Sequence, residues 1–200
     1  MSVDTKTISE LRARTGAGMV DCKNALDEAG GDTDRAAEIL RTKGMAKADK
    51  KGERSTKEGL IHAYIHGNGK IGALVEVLCE TDFVARNEQF QAFVHDVAMH
   101  VVATNPLYMT PEEIPSEVLE KEKELAMEEF AGSGKPQEMI EKIAEGKLSK
   151  YYEEVCLLNQ KFIKDEDMTI GDLVKQTIAK TGENIQLKRF VRFALSGGKE

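Results

Sequence analysis

Four histidines, three cysteines and two glycine-rich runs are the places in this 200-residue chain where residue type and spacing could carry chemistry. His62 and His66 fall on one face of an expected strand. They lie roughly 13 Å apart, four residues at about 3.3 Å each, too far to share one metal ion. His95 and His100 are five apart on an expected helix, about 140° around its axis, and do not converge. Surface or half-buried histidine is the reading for all four. Cys22, Cys79 and Cys156 are widely spaced and odd in number, and no CxxC pair occurs. They suit free buried thiols in a reducing compartment better than a disulfide framework or a zinc site. Gly67-x-Gly69-x-x-Gly72 matches a dinucleotide-binding fingerprint, which needs a strand before it and a helix after it. Here a strand follows, so the run reads as a hairpin turn. GSGKP (residues 132–136) resembles the end of a P-loop. It lacks the first glycine at the required spacing and has Pro136 in place of Ser/Thr, so it too reads as a turn. Neither GxSxG nor HExxH occurs. The expectation is a protein that is not an enzyme, with no catalytic residue, no metal site and no cofactor.

Two further segments invite a binding role. Residues 41–57 hold seven Lys/Arg and two Asp/Glu, a local +5. No aromatic residues interleave with them for base stacking, so a solvated linker is favoured over a grip on RNA phosphates. The whole chain has 28 Lys+Arg against 35 Asp+Glu, a net charge of −7. That argues against a dedicated nucleic-acid binder. The second segment is Glu80-Thr81-Asp82-Phe83-Val84-Ala85-Arg86-Asn87, between an expected strand and an expected helix. Thr81 or Asp82 suits the cap of a turn. Phe83 fits equally a core position under that turn or an exposed anchor for a partner's pocket.

The elements that must position these residues follow from periodicity. With 40% hydrophobic and 32% charged residues, the chain is neither disordered nor low in complexity. No apolar run approaches the roughly 18 residues of a membrane span. The opening MSVDTKTISELRART has no signal-peptide h-region or cleavage site, so a cytoplasmic protein without a membrane partner is expected. Residues 1–45 read as three helices. The first starts at Ile8 behind a Thr7–Glu10 capping box. The second carries Cys22, Ala25, Leu26 and Ala29 on one stripe and ends at Gly30-Gly31. The third, capped by Asp32, turns Ala36, Ile39 and Leu40 inward. Residues 46–57 read as a basic linker and 58–200 as an α+β core. In the core the period becomes 2 over Ile61–Ile65 and Ile71–Cys79, a hairpin across HGNGK. A helix with Phe90, Phe93, Val94, Val97 and Val101 follows Asn87 and stops at Pro106. Residues 112–130, with eight acidic and two basic residues, and 137–157 form a helical hairpin at about 112–157. A helix capped by Thr169 and Asp172 precedes a last strand, 185–195, which closes a small antiparallel three-stranded sheet. The final SGGKE is expected to be loose.

Two of these stretches resemble a known family. LRARTGAGMVDCKNALDEAGGD (residues 11–32) resembles the opening of bacterial elongation factor Ts, and TDFVARN (81–87) resembles that family's core signature. The order of elements agrees over nearly the whole chain. The resemblance implies a guanine-nucleotide exchange factor for elongation factor Tu, active in translation elongation. It would bind the GDP-bound partner, dislodge Mg²⁺, and leave a nucleotide-free form that GTP can enter. It also implies an N-terminal three-helix module like ubiquitin-associated domains. That module docks on the partner around the TGAGM turn through Arg12, Met19, Val20 and Lys23. Thr81, Asp82, Phe83 and Val84 would enter the partner near its magnesium site, and the helical hairpin would be a coiled-coil module. Long members of the family carry two homologous core halves, and this chain has one hairpin only, like the short form. A homodimer, each subunit serving as the other's second half, is the expected remedy. An adaptor whose three-helix module recruits a helical or ubiquitin-like partner is the competing class.

Overall fold

A computed structural model describes residues 4–130, 134 and 136–195. The chain opens with three helices, α1 (Thr5–Thr15), α2 (Met19–Glu28) and α3 (Thr33–Asp49). Ile8, Leu11, Cys22, Ala25, Leu26, Ala29 and Ala36 form their common core, with Ile39 and Leu40 packed against it. Helix α3 begins as its sequence predicts. Asp32 Oδ1 accepts from the amides of Asp34 and Arg35 at 2.9 and 3.0 Å, and these bonds hold its carboxyl below the ordinary carboxylate range. Helix α1 corrects the expected start at Ile8. It opens at Thr5, with Asp4 at the N-cap and the Asp4 carbonyl accepting from Ile8 N at 3.2 Å. Thr7 lies inside the helix, so the Thr7–Glu10 pattern is not a capping box.

Helix α3 runs to Asp49 and takes up the first part of the basic stretch. The rest is fastened down. Lys51 Nζ donates to the Gly182 carbonyl at 2.7 Å. The Asn184 side-chain amide donates to Gly52 O at 3.2 Å and Arg54 O at 2.8 Å. Asn184 is itself buried, so both carbonyls gain a partner that excludes water.

Strands β1 (Glu58–His66), β2 (Ile71–Cys79) and β5 (Ile185–Ala194) form one sheet in the order β1-β2-β5. Gly67 and Gly69, at φ 51° and 79°, supply the left-handed backbone of the β1–β2 hairpin. Leu195 N donates to Lys70 O at 2.9 Å and Arg189 pairs with Glu76. Residue numbers rise on β5 as they fall on β2, so these strands are antiparallel too. A second antiparallel pair, β3 (Lys161–Phe162) with β4 (Asp165–Thr169), was not expected. Its sequence, KFIKDEDMT, has too little alternation to signal a strand.

The longer helices of the core follow the predicted periods. α4 (Asp82–Ala85) is one turn. α5 (Glu88–Thr104) opens with Asn87 Oδ1 accepting from Gln89 N at 2.7 Å. It buries Phe90, Phe93, Val94, Val97 and Val101. α6 (Ser116–Glu128) and α7 (Gln137–Val155) pack antiparallel, with Ala126, Ile140 and Ala144 buried, and Lys147 pairs with Glu129. Most of the GSGKP turn between them, and the final residues 196–200, lie outside the described residues. α8 (Ile170–Thr181) starts just after Thr169.

The chain divides into two compact units. One holds the described residues up to Leu60 with 77–93 and 172–188. The other holds 61–76, the described part of 94–171, and 189–195.

Candidate functional site

Strand β2 ends at Cys79, and the chain turns at once into α4. Thr81 is extended, at φ −129° and ψ 157°, and its Oγ1 accepts from Val84 N at 3.4 Å. It is the N-cap of this single turn. Successive residues of a helix point about 100° apart, so neighbours on so short a turn face different ways. Val84 is buried, and Phe83 is 86% exposed. Of the two positions the sequence allows for Phe83, the exposed tip is the one adopted. Asp82 pairs with Arg86 at 3.1 Å, both in solvent, a pair worth little energy.

The turn is braced by a residue the sequence reading passed over. Glu183 Oε2 accepts from the amides of Glu80 at 3.2 Å and Thr81 at 3.0 Å. Its Oε1 accepts from the Thr81 hydroxyl at 2.6 Å. That hydroxyl has one proton; with it given to Glu183, the oxygen lone pairs face Val84 N. In return, Asn184 N donates to Glu80 Oε1 at 2.6 Å, and Arg54 lies 3.5 Å from the same oxygen. The Glu183 carboxylate is felt nearby. The buried Cys79 thiol, donating to Thr81 O at 3.2 Å, is pushed up to about 11, by burial first and then by Glu183. The available signal was the antiparallel pairing itself, which sets the end of β2 beside the start of β5.

Arg12, Met19, Val20 and Lys23 lie on the outer surface of the three-helix module, in the same compact unit as Phe83. Gly16, at φ 70°, ends α1 and sends the chain into the short turn before Met19. Cys22 points into the core while Val20 stays 72% exposed. The basic stretch spends much of its charge inside the chain. Lys43 pairs with Glu28, Lys47 with Asp21 at 3.0 Å, and Arg54 with Glu80. Those partners reduce what it can offer to phosphates.

The histidines need one correction, at His100, and show one approach that the sequence did not. His100 is fully buried, neither surface nor half-buried, with its Nε2 3.0 Å from Gln160 Oε1. Burial lowers its pKa, against the pull of the Gln160 bond. His62 Nε2 and His95 Nδ1, 33 residues apart in sequence, lie 3.1 Å from each other. Helix and strand spacing within one element could not show that approach. Burial first, and then His95, lowers the pKa of His62. Among the described residues no three His, Cys, Asp or Glu side chains gather as metal ligands. The cysteines are buried and free.

One face of the sheet is apolar and open. Ile61 and Ile65 on β1, Leu74 on β2, and Val191, Phe193 and Leu195 at the end of β5 are all exposed. Ile65 lies across Gly72, where a Cβ would fall 2.6 Å from Ile65 Cδ1. No helix among the described residues is long and apolar enough to cross a membrane.

A family described as elongation factor TS matches residues 44–196. A protein of Fervidobacterium nodosum named elongation factor Ts is 56% identical over 195 residues, covering 98% of this chain and 99% of the relative. Its counterpart in Thermosipho melanesiensis is 54% identical over 193 residues, 96% and 98% of the two chains. The one in Caldanaerobacter subterraneus subsp. tengcongensis is 52% identical over 198, 99% of each. With the TGAGM turn, the TDFVARN segment and the α+β core all in place, this chain belongs to the elongation factor Ts family of translation elongation factors.

Proposed function

We propose that this chain is the guanine-nucleotide exchange factor for elongation factor Tu, working in the cytoplasm. The observation that carries the reading is Phe83, a large apolar side chain held 86% exposed on a capped turn. Burying a phenylalanine is worth roughly 1.5–3 kcal/mol. Phe83 gains it only when the partner opens a pocket. Opening that pocket near the magnesium site shifts the groups that hold Mg²⁺, and phosphate charge on GDP is left uncompensated. The factor thereby binds the nucleotide-free partner more tightly than the GDP-bound one. Linkage makes the effect reciprocal: an incoming nucleotide weakens the factor's own binding and releases it. No covalent step is required of the factor.

Thr81 and Val84 hold the turn, Phe83 enters, and Asp82 faces the partner beside it. Residues 1–45 act as the docking module, similar to ubiquitin-associated domains. Arg12, Met19, Val20 and Lys23 make its contacts, and α6–α7 is the coiled-coil module. The open apolar face of Ile61, Ile65, Leu74, Val191, Phe193 and Leu195 supports a homodimer. A second copy would cover it and supply the core half that long family members carry in one chain. The test is release of fluorescent GDP from elongation factor Tu with and without this chain. Acceleration supports exchange; no acceleration favours the adaptor class, with a different partner for the three-helix module.

A further inference from the structure

We infer that Glu183 is a positioning residue for exchange, the brace that fixes the Thr81–Val84 turn so that Phe83 is presented in one orientation. The inference rests on the exchange reading and names the residue, 102 positions away from Thr81, on which its central turn depends.

The geometry separates this carboxylate from an ordinary surface charge. Both of its oxygens are used: one takes two consecutive backbone amides, Glu80 N and Thr81 N, and the other takes the Thr81 hydroxyl. Bonds to an ionised carboxylate are charge-assisted and stronger than neutral ones, and the one from the Thr81 hydroxyl is short, at 2.6 Å. The third bond reaches further than Thr81. It commits the hydroxyl proton, and the Thr81 oxygen is then an acceptor for Val84 N, the first closing bond of α4. Val84 is seated in the core and Phe83 precedes it. Glu183, Thr81 Oγ1 and Val84 N therefore form a relay ending one residue from the exposed ring. The relay has a firm base. Gly182, at φ 80°, turns the chain out of α8, and Asn184 N ties the neighbouring backbone to Glu80. The Phe83 side chain itself is 86% exposed. Loss of the brace thus acts on the orientation of the ring, not on the hydrophobic area it offers.

Glu183→Gln is the informative change. It preserves size and one acceptor oxygen, and it sets an NH₂ group against backbone amides or a hydroxyl that now have no acceptor. Glu183→Gln, Phe83→Ala and the double variant are compared with the parent chain for the rate of GDP release from elongation factor Tu at saturating factor. The concentration giving half-maximal rate, the thermal midpoint and the backbone ¹⁵N order parameters of Asp82–Val84 are measured alongside. Positioning predicts a maximal rate lower on the order of tenfold. The half-maximal concentration changes little, since the docking module is untouched, and the order parameters of Asp82–Val84 fall. It also predicts non-additivity: with the ring absent, Glu183→Gln has almost no further effect on rate. Equal rates for Glu183→Gln and parent would overturn the inference, as would additive losses in the double variant or unchanged order parameters. If the parent itself fails to accelerate release, the exchange reading falls. The order parameters then still decide whether Glu183 fixes the turn.

Discussion

Replacing Phe83 with alanine tests the wedge most directly, because its effects on folding and on function are predicted to separate. The side chain is 86% exposed, so truncation removes little that the folded chain has buried. Surface changes of this kind usually stay within about 0.5 kcal/mol of stability. For a domain of 150 to 250 residues, 1 kcal/mol corresponds to roughly 2–4 °C; a shift of about 2 °C or less is expected here. The exchange step should lose what burying the ring contributes, roughly 1.5–3 kcal/mol. At 1.4 kcal/mol per tenfold, GDP release slows by about 10- to 150-fold. The assay is stopped-flow release of fluorescent GDP from elongation factor Tu, with thermal unfolding run on the same samples. A fall in thermal midpoint well beyond 5 °C would mean that the ring belongs to the core. Unchanged release with unchanged stability would move the wedge to another residue and remove the central observation behind the proposed mechanism.

Stability should decline on mild acidification. His62 and His100 both have pKa values held below the ordinary 6.5, by burial first. Just below pH 6.5 the unfolded chain therefore binds more protons than the folded one. The stability is complete above 6.5 and lost as pH falls from there toward the folded values. The thermal midpoint should be lower at pH 5.5 than at 7.5, and His62→Gln should flatten part of that slope; a level parent profile would contradict both placements. Phe193→Glu puts a charge on the open sheet face, and sedimentation should give a 22.1 kDa monomer where the parent gives twice that mass. A monomeric parent with full exchange activity would remove the homodimer. Asn184→Ala strips the Gly52 and Arg54 carbonyls of a buried donor. It should cost about 1–3 kcal/mol, read as a lower denaturant midpoint with unchanged slope. No loss would mean that water replaces the amide and that the linker is not pinned there.

What could be read in the sequence was what one element determines alone. Val75, Val77 and Cys79 alternate, and Phe90, Phe93, Val94 and Val97 recur at helical spacing. In both cases the buried face is the predicted one. Asp32 acts over two or three residues, and its cap was legible for that reason. The capping box at Thr7 failed because the helix opens three residues before Ile8, at Thr5, behind an Asp4 whose side chain makes no cap bond. Phe83 could not be placed, since one helical turn has no period from which to read a face; burial of Val84 decided it. Glu183 and the His62–His95 approach depend on which strand lies beside which, and on where a helix crosses. Those are properties of topology, not of local spacing.

On the proposed reading, an exposed phenylalanine and a distant glutamate belong to one device, and magnitudes give the reason. Ordering the backbone of a flexible residue costs about 1–2 kcal/mol. Were Thr81–Val84 loose in the free protein, fixing its four residues on contact would cost roughly 4–8 kcal/mol by the same measure. The ring returns only about 1.5–3 kcal/mol on burial, so a loose wedge would oppose the opening of the site more than it drove it. Here the ordering is done in advance, during folding. Glu183 takes the amides of Glu80 and Thr81, Thr81 caps Val84 N, and Val84 is seated in the core. On the proposed reading, Phe83 meets its partner with its backbone already fixed, and most of the energy of burying it remains for opening the site. On this reasoning the surroundings of the turn matter to exchange as much as the ring they present. A variant that keeps Phe83 and loosens its support should behave, in rate, like one that lacks the ring.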